Sequence, residues 1–507
     1  MSCDWYNILI LIDENLIPFH TAVNSEHRLL YPIIILYIPM INLKEALAMI
    51  KSGAVTMVDL KITDIRGTWQ HMTIGARYFT EENIKRGFGF DGSSLRGFQN
   101  IFDSDMLLVP DPITIFVDPF FEKTLSCICS MYDPVTGKPS EKDARYTAIK
   151  AEKYLKDTGI GDTSYWGPEI EFFLFDRVNV ELSPYRQMIE LESREIPGDD
   201  TQSMQSDGYK IPVKRGYFPV PPFDKLQEYR SEVTTILESL GIDVEMHHHE
   251  VATGGQVEID LRYDTLVKMA DNVMIYKYIA RNIAKKHGLV AIFLPKPVYG
   301  DNGSGMHTHQ SVFKSGKNMF YDPSGYAELS KTALAYTAGL LSHIHGLLAF
   351  TSPTLNSYRR LVPHFEAPTA IAFSARNRSA AIRIPMYFSG NEKAKRLEFR
   401  CPDPACNPYL GFAAQLVAGI DGIRSKMDPK KLGFGPFEEN IWEKKEVGQT
   451  PKSLFETLDA LEKDIVFAKS GVFAQELMGS YIDIKRLEAT EALMHPTPAD
   501  FFYYGDM

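Results

Sequence analysis

The pattern of apolar and polar positions changes character at Met40. From Leu29 to Tyr37 the chain is apolar except for Tyr31, Pro32 and Tyr37. Such a run is far too short to span a bilayer, which takes ~20 residues. It also has neither the basic flank nor the small-residue cleavage site of a signal peptide. From Met40 onward the periodicity is orderly. Asn42 stands where it can cap a helix whose apolar positions are Leu43, Ala46, Leu47 and Ile50. We therefore expect Met40 to be the natural start and residues 1–39 an upstream extension, with a loosely attached arm as the alternative.

Residues 54–130 read mostly as strand. The stretch from Val55 to Thr63 alternates in part, Arg66-Gly67 marks a turn, and Trp69 to Ile74 follows. Gly87-Phe-Gly-Phe-Asp-Gly92 spells G-x-G-x-x-G. No clear strand precedes it and Ser93 to Gly97 open no convincing helix, so a dinucleotide loop is rejected. What remains is a polar loop, Phe90 to Ser94, with one carboxylate and two hydroxyls. A Pro/Gly-rich connection at 133–139 is the expected domain boundary, followed by a helix at about 140–157. Further helices are predicted at about 223–240, 264–287, 325–348, 408–424, 452–468 and 471–490. Strands and helices alternate without βαβ spacing, which favours α+β with a largely antiparallel sheet.

Composition narrows the function. With 507 residues, 44% hydrophobic, the chain has material for more than one domain. A net charge of −11 without any lysine/arginine run argues against nucleic acid as a partner. Five cysteines include Cys127-Ile-Cys129 but no zinc spacing, so they read as reduced thiols of a cytoplasmic protein. No stretch is long and apolar enough to imply a membrane partner.

Four stretches carry candidate chemistry. In Gly167-Pro-Glu-Ile-Glu-Phe-Phe-Leu-Phe175, Glu169 and Glu171 share a strand face that runs on into Phe173 and Phe175. Carboxylates leading into a buried aromatic run are costly unless ligated or paired. His247 to Glu258 reads as a hairpin turning at Thr253-Gly254-Gly255. A turn centred on Gly254 would set Glu250 directly opposite Glu258, and like charges there repel. Gly300 to His309 joins a glycine-rich loop to a strand presenting His307 and His309 on one face. Between 359 and 400 lie Arg359, Arg360, Arg376, Arg378, Arg383, Arg396 and Arg400, interleaved with Glu366 and Glu398. Arginine grips carboxylate and phosphate bidentately. Glu169, Glu171, Glu250, Glu258, Glu398 and His307, without a thiolate, suit two Mg²⁺ or Mn²⁺ ions better than zinc. Two hard cations, arginines and a glycine loop point to phosphoryl transfer from a nucleotide.

The motifs Phe90-Asp-Gly-Ser-Ser, Gly167-Pro-Glu-Ile-Glu, His247-His-His-Glu-Val-Ala-Thr, Gly300-Asp-Asn-Gly-Ser-Gly-Met-His, Asn356-Ser-Tyr-Arg-Arg-Leu-Val-Pro, Ser374-Ala-Arg-Asn-Arg-Ser and Cys401-Pro-Asp-Pro-Ala-Cys-Asn-Pro-Tyr-Leu resemble bacterial type I glutamine synthetase. The match runs in order from about residue 41 to the C-terminus. The resemblance implies an α+β protein with a small β-grasp-like domain at 40–139. A large catalytic domain at 140–507 would be built on a curved antiparallel sheet with surrounding helices. It implies ATP-dependent ligation of ammonia to L-glutamate through a γ-glutamyl phosphate, in central nitrogen assimilation.

Carried over position by position, Glu171, Glu250 and Glu258 would hold one metal, and Glu169, His307 and Glu398 the other. Asn302, Gly303, Arg360, Glu366, Arg378 and Arg400 would bind glutamate. Glu245, His309, Gln310, Ser311, Arg378, Arg383 and Lys393 would serve ATP, with Tyr263 near the adenine. Asp91, Ser94, Tyr217 and Glu366 would form the ammonium site. There Asp91 would take the proton, Glu366 would gate the site, and Arg378 would stabilise the transferring phosphoryl group. Asp91 would come from a neighbouring subunit of a dodecamer of two stacked hexamers, locked together by the segment ending Phe501-Phe-Tyr-Tyr.

Two departures stand out. Trp442, in Asn440-Ile-Trp-Glu443, occupies the place of a tyrosine that many members adenylylate. Tryptophan offers no hydroxyl, so no modification is expected there. The other departure is residues 1–39. The alternatives are a ligase for a bulkier amine, against which Asp91 and Tyr217 argue, and an inactive regulatory paralogue, against which the complete ligand set argues.

Overall fold

The computed structural model describes residues 40–99, 104–196, 208–363, 365–439, 441, 444 and 446–507. These residues belong to one unit, Ile38–Met507. The readings of residues 1–39 as an extension and of Trp442 as an unmodified position lie outside the described residues.

The first helix, Leu43–Lys51, begins where the polar pattern sets it. The Asn42 side chain accepts from Glu45 N at 3.0 Å, and Glu45 accepts from Asn42 N at 2.9 Å. Strands β1 (Met57–Thr63), β2 (Trp69–Gly75), β3 (Phe88–Asp91), β4 (Asp105–Pro110), β5 (Phe116–Val117) and β6 (Thr124–Tyr132) form a mixed sheet in the order β2-β1-β6-β4-β3, with β5 on β6. The β1–β6 pair is parallel. Phe88 to Asp91 is thus a strand, ending in the one-turn helix Gly92–Ser94.

The second sheet is almost wholly antiparallel, as expected for α+β. It contains β7 (Thr163–Phe175), β10 (Val244–His249), β11 (Gln256–Leu261), β12 (Asp264–Thr265), β13 (Val290–Ile292), β14 (Met306–Lys314), β15 (Lys317–Asn318), β16 (Ala370–Ala375), β17 (Ala380–Ile384) and β18 (Leu397–Phe399). Its path is β10-β11-β7-β14-β18-β17-β16, and β16–β17 is its one parallel pair among the described residues. Between β7 and β10, β8 (Arg177–Leu182) and β9 (Gln187–Glu192) form a separate hairpin.

Strand β7 is central because its two faces differ. Trp166 and Phe172 face helices: Trp166 stacks on Phe412 of helix Pro408–Arg424 at 5.1 Å, and Phe172 meets Tyr276 of helix Leu266–Lys286 at 6.0 Å. Burying each such ring contributes roughly 1.5–3 kcal/mol. Arg145, buried, ties helix Leu266–Lys286 to the end of β4 by donating to Asp271 through Nε at 2.9 Å and to Asp111 through Nη2 at 2.7 Å.

Two expected helices are broken. The one at 325–348 is a short 3₁₀ turn, Tyr326–Glu328, then Lys331–Ser342 and Ile344–Thr351, bent by 79°. Within the 3₁₀ turn Ala327 and Glu328 take φ +49° and +59°, a region that side chains other than glycine rarely occupy. The helix expected at 452–468 breaks at Asp464, whose carboxylate accepts from Val466 N at 3.2 Å and so caps Ile465–Lys469. No single described helix is long and apolar enough to cross a membrane. Cys127, Cys129, Cys401 and Cys406 are free and buried, and burial pushes the thiols of Cys401 and Cys406 up to about 12.

Candidate active site

Register brings the acidic positions of separate strands onto one face. Glu171 pairs with Glu258, and Glu169 with both Asp260 and His307. His309 pairs with Glu398, and Glu398 with Arg383. The sheet cups these side chains in a cleft of about 680 Å³. Of the positions expected from sequence, the cleft is lined by all but Asp91, Ser94 and Glu398, the last fully buried just behind its wall.

The donor atoms of Glu169, His307 and Glu398 lie within 4.8 Å of one another. Glu398 is fully buried between two guanidinium groups, accepting from Arg383 Nη1 at 2.6 Å and Arg400 Nη1 at 2.7 Å. Burial alone would raise its carboxyl, but chiefly Arg400 holds it below the usual range. The same arginine, added to burial, drives His307 down to about 4, so its imidazole is neutral at pH 7 and has a lone pair to give. His309 Nε2 lies 2.6 Å from Glu169, and His309 Nδ1 lies 3.1 Å from Arg396 Nε. Arg396 has only protons to offer, so Nδ1 accepts and Nε2–H donates to Glu169. Against burial, His309 and His307 hold Glu169 well below the usual range.

The second group is all carboxyl repulsion. Burial and the Glu250 carboxylate raise Glu171 to about 8, although Gln256 Nε2 donates to it at 3.1 Å and Gly305 N at 3.0 Å. Burial, and after it the charges of Asp260 and Glu169, pushes Glu258 well above its ordinary value. Burial and Glu169 do the same to Asp260, whose Oδ1 is buried without a hydrogen-bond partner. Such a set fits a hard divalent cation, which would replace mutual repulsion with coordination.

The hairpin departs from its expected register. The turn centres on Thr253, so His248 faces Glu258 and Glu250 N bonds to Gln256 O at 2.8 Å. Glu250 and Glu258 still share a face, but diagonally rather than head-on. The reason is Gly255, at φ +83°: a Cβ there would lie 2.3 Å from Leu174 O, so this residue, not Gly254, takes the special turn position. His248 then joins Glu258 and Asp260 in a group whose donor atoms also lie within 4.8 Å. The sequence reading missed His248, Asp260 and Gln256. Continuing the alternation from Glu258 by two residues would have found Asp260.

The glutamate candidates Asn302, Gly303, Arg360 and Arg400 stand together on one wall. Arg360 donates to the carbonyls of Cys401 at 2.8 Å and Arg400 at 3.1 Å. Gln310 lines the cleft too, but its amide turns away from His309 and Ser311, accepting from Tyr336 Oη at 2.6 Å and donating to Gln415 at 2.8 Å. Strand parity puts its amide in the core and leaves only its backbone to the cleft. Glu245, Tyr263, Ser311, Arg383 and Lys393 line the cleft as well.

Tyr217, Glu366 and Arg378 meet at the mouth, with Arg378 Nη1 3.5 Å from Glu366 and Glu366 at φ +56°. Asp91 and Ser94 lie outside this lining. Asp91 is exposed, accepting from Ser93 N at 2.9 Å and Ser94 Oγ at 2.6 Å. Chiefly the Ser93 and Ser94 hydroxyls hold its carboxyl below the usual value.

Gly305 tests how tightly the floor is packed. A Cβ there would lie 2.6 Å from His307 Nε2 and 2.7 Å from Arg360 Nη2, both buried. Gly305→Ala is expected to cost about 1–3 kcal/mol, read as a lower denaturation midpoint, with activity falling in parallel.

Residues 141–504 match the family model for the catalytic domain of glutamine synthetase, and residues 54–134 the model for its β-grasp domain. The glutamine synthetase of Aquifex aeolicus (strain VF5) is 52% identical over 471 residues, covering 92% of this chain and 99% of the relative. A cryo-EM structure of Plasmodium falciparum glutamine synthetase superposes with a TM-score of 0.84 at 29% identity, over 92% of this chain and 100% of the other. A GmaS/ADP complex gives a TM-score of 0.76 at 27% identity, over 91% and 99%.

Proposed function

The chain belongs to the glutamine synthetase family, glutamate–ammonia ligases that form glutamine with ATP and divalent metal, and we propose that it does so through a γ-glutamyl phosphate, with two Mg²⁺ or Mn²⁺ ions per site. The observation that carries this reading is the pair of acidic groups on one sheet face, ringed by Arg378, Arg383 and Arg400. Glu169, His307 and Glu398 would hold one ion, and Glu171, Glu250 and Glu258 the other, with Asp260 and His248 beside it. The ions would neutralise charge on the transferring phosphoryl group.

The chain's own groups do the rest. Arg360, Arg400 and the Asn302-Gly303 backbone orient glutamate. Tyr263, Ser311, Arg383 and Lys393 hold the nucleotide, and the ADP complex of GmaS, a protein of similar fold, supports a nucleotide ligand. Arg378 faces the charge that develops on the phosphoryl oxygens. Asp91, already held ionised by its serines, accepts the proton that converts ammonium to ammonia. Glu366 then shuts the mouth against water.

Asp91 stands outside this chain's own cleft lining, which supports a site completed by a neighbouring subunit in a dodecamer. The helix Pro498–Tyr504, with Phe501, Phe502, Tyr503 and Tyr504 exposed, would join the two rings. We take 40–139 and 140–507 as the two domains and the cytoplasm, in nitrogen assimilation, as the place of action.

The test is glutamine formation from ATP, glutamate and ammonium with and without Mg²⁺, using glutamate labelled with ¹⁸O in its γ-carboxylate. Metal-dependent glutamine with label in the released phosphate is expected. Phosphate without label would exclude the acyl phosphate, and preference for a bulky amine over ammonium would overturn the substrate assignment.

A further inference from the structure

The loop between β17 and β18 reaches the cleft with Tyr387, Phe388, Asn391 and Lys393. Its far side is fastened to the segment after β15. Glu328 Oε1 accepts from Ser389 Oγ at 2.7 Å and from Gly390 N at 2.9 Å, and Glu328 Oε2 lies 3.1 Å from Lys395 Nζ. Lys395 Nζ also donates to Ala327 O at 2.9 Å. Beneath them the buried Asn318 donates to the carbonyls of Glu392 and Lys395, both at 2.8 Å.

Glu328 makes these contacts from strained backbone. It and Ala327 both sit at positive φ, which costs a residue with a side chain of order 1 kcal/mol or more unless its surroundings hold it there. Glu328 does not line the cleft. The strain therefore serves no direct contact with a ligand; it aims the carboxylate at the loop.

We propose that Glu328 is a positioning residue for the nucleotide: by holding Ser389, Gly390 and Lys395 it fixes the loop that carries Lys393, and so sets the affinity for ATP without touching it. This rests on the reading that the Lys393 end of the cleft takes the nucleotide. The Glu328 carboxyl is held below its usual value by the Ser389 and Lys395 contacts, so the latch is charged at neutral pH.

The test compares Glu328→Gly and Glu328→Gln with the parent for KM of ATP, KM of glutamate and thermal midpoint, with Lys393→Met as a control. Glycine suits positive φ but deletes the latch; glutamine keeps an acceptor oxygen for Ser389 and Gly390. In Glu328→Gly the KM for ATP is expected to rise about three- to tenfold, the KM for glutamate to stay within twofold, and the midpoint to hold. Glu328→Gln is expected to recover most of the loss. An unchanged KM for ATP in Glu328→Gly, or equal rises for both substrates with a lowered midpoint, would overturn the proposal. If Lys393→Met also leaves the KM for ATP unchanged, the fault lies in the nucleotide assignment; if Lys393→Met raises it and Glu328→Gly does not, only the latch fails.

Discussion

Glu258→Gln is expected to stabilise the metal-free protein while slowing glutamine formation by about two to three orders of magnitude. The two effects have one cause. Glu258 is buried against Asp260, Glu169, Glu171 and Glu250, so without a cation four carboxylates oppose its charge. An amide of the same shape removes that repulsion, a gain of about 1–2 kcal/mol, but gives a divalent ion a weaker ligand.

The pH dependence follows with its sign. Glu171 has a folded-state carboxyl raised to about 8. A raised acid contributes stability that is complete below its unfolded value, near 4.5, and is lost as pH rises through about 8. The metal-free parent should therefore lose stability across that window, and saturating Mg²⁺ should flatten the slope. Denaturation midpoints from pH 5 to 9, with Mg²⁺ and with chelator, check this. A Glu258→Gln protein less stable than the parent in chelator, or a slope indifferent to Mg²⁺, would sink the account.

Arg378→Ala should lower kcat about a thousandfold while changing the KM for ATP by less than tenfold. Its nearest charged partner is Glu366, 3.5 Å away at the mouth of the cleft, so little else in the fold depends on it. Arg383 and Arg400, by contrast, are committed to Glu398. Of these three, Arg378 is the guanidinium left to meet charge that appears only during transfer. Arg378→Lys keeps the charge without the planar fork and should recover only part of the loss. A raised KM with kcat intact would make Arg378 a ground-state binder instead.

How much of this was legible in the sequence depended on how local each rule was. Strand parity is local, and it correctly put Glu169 with Glu171 and His307 with His309. Helix existence is nearly local, yet the breaks after Ser342 and at Asp464 were not seen, because the apolar pattern runs through both and tertiary packing sets the bend. The hairpin register failed at one residue. Gly254 and Gly255 are equivalent in sequence, and only the Leu174 carbonyl, on another strand, decides which of them turns. Asp260 was passed over although the alternation from Glu258 reaches it; what the chain's order does not mark is that β11 lies beside β7 and sets Asp260 against Glu169. The inward turn of the Gln310 amide was not foreseen, because a run carried over by resemblance ignores that neighbouring residues on a strand face opposite ways.

The buried cysteines extend the account to chemical reactivity. Cys401 and Cys406, with thiols pushed up to about 12, hold only about one thiolate per hundred thousand molecules at pH 7. An alkylating reagent then meets them only when the structure opens. The carbonyl of Cys401 accepts from Arg360 on the cleft wall. The rate at which Cys401 is labelled therefore clocks the opening of that wall, a reporter already present in the native chain.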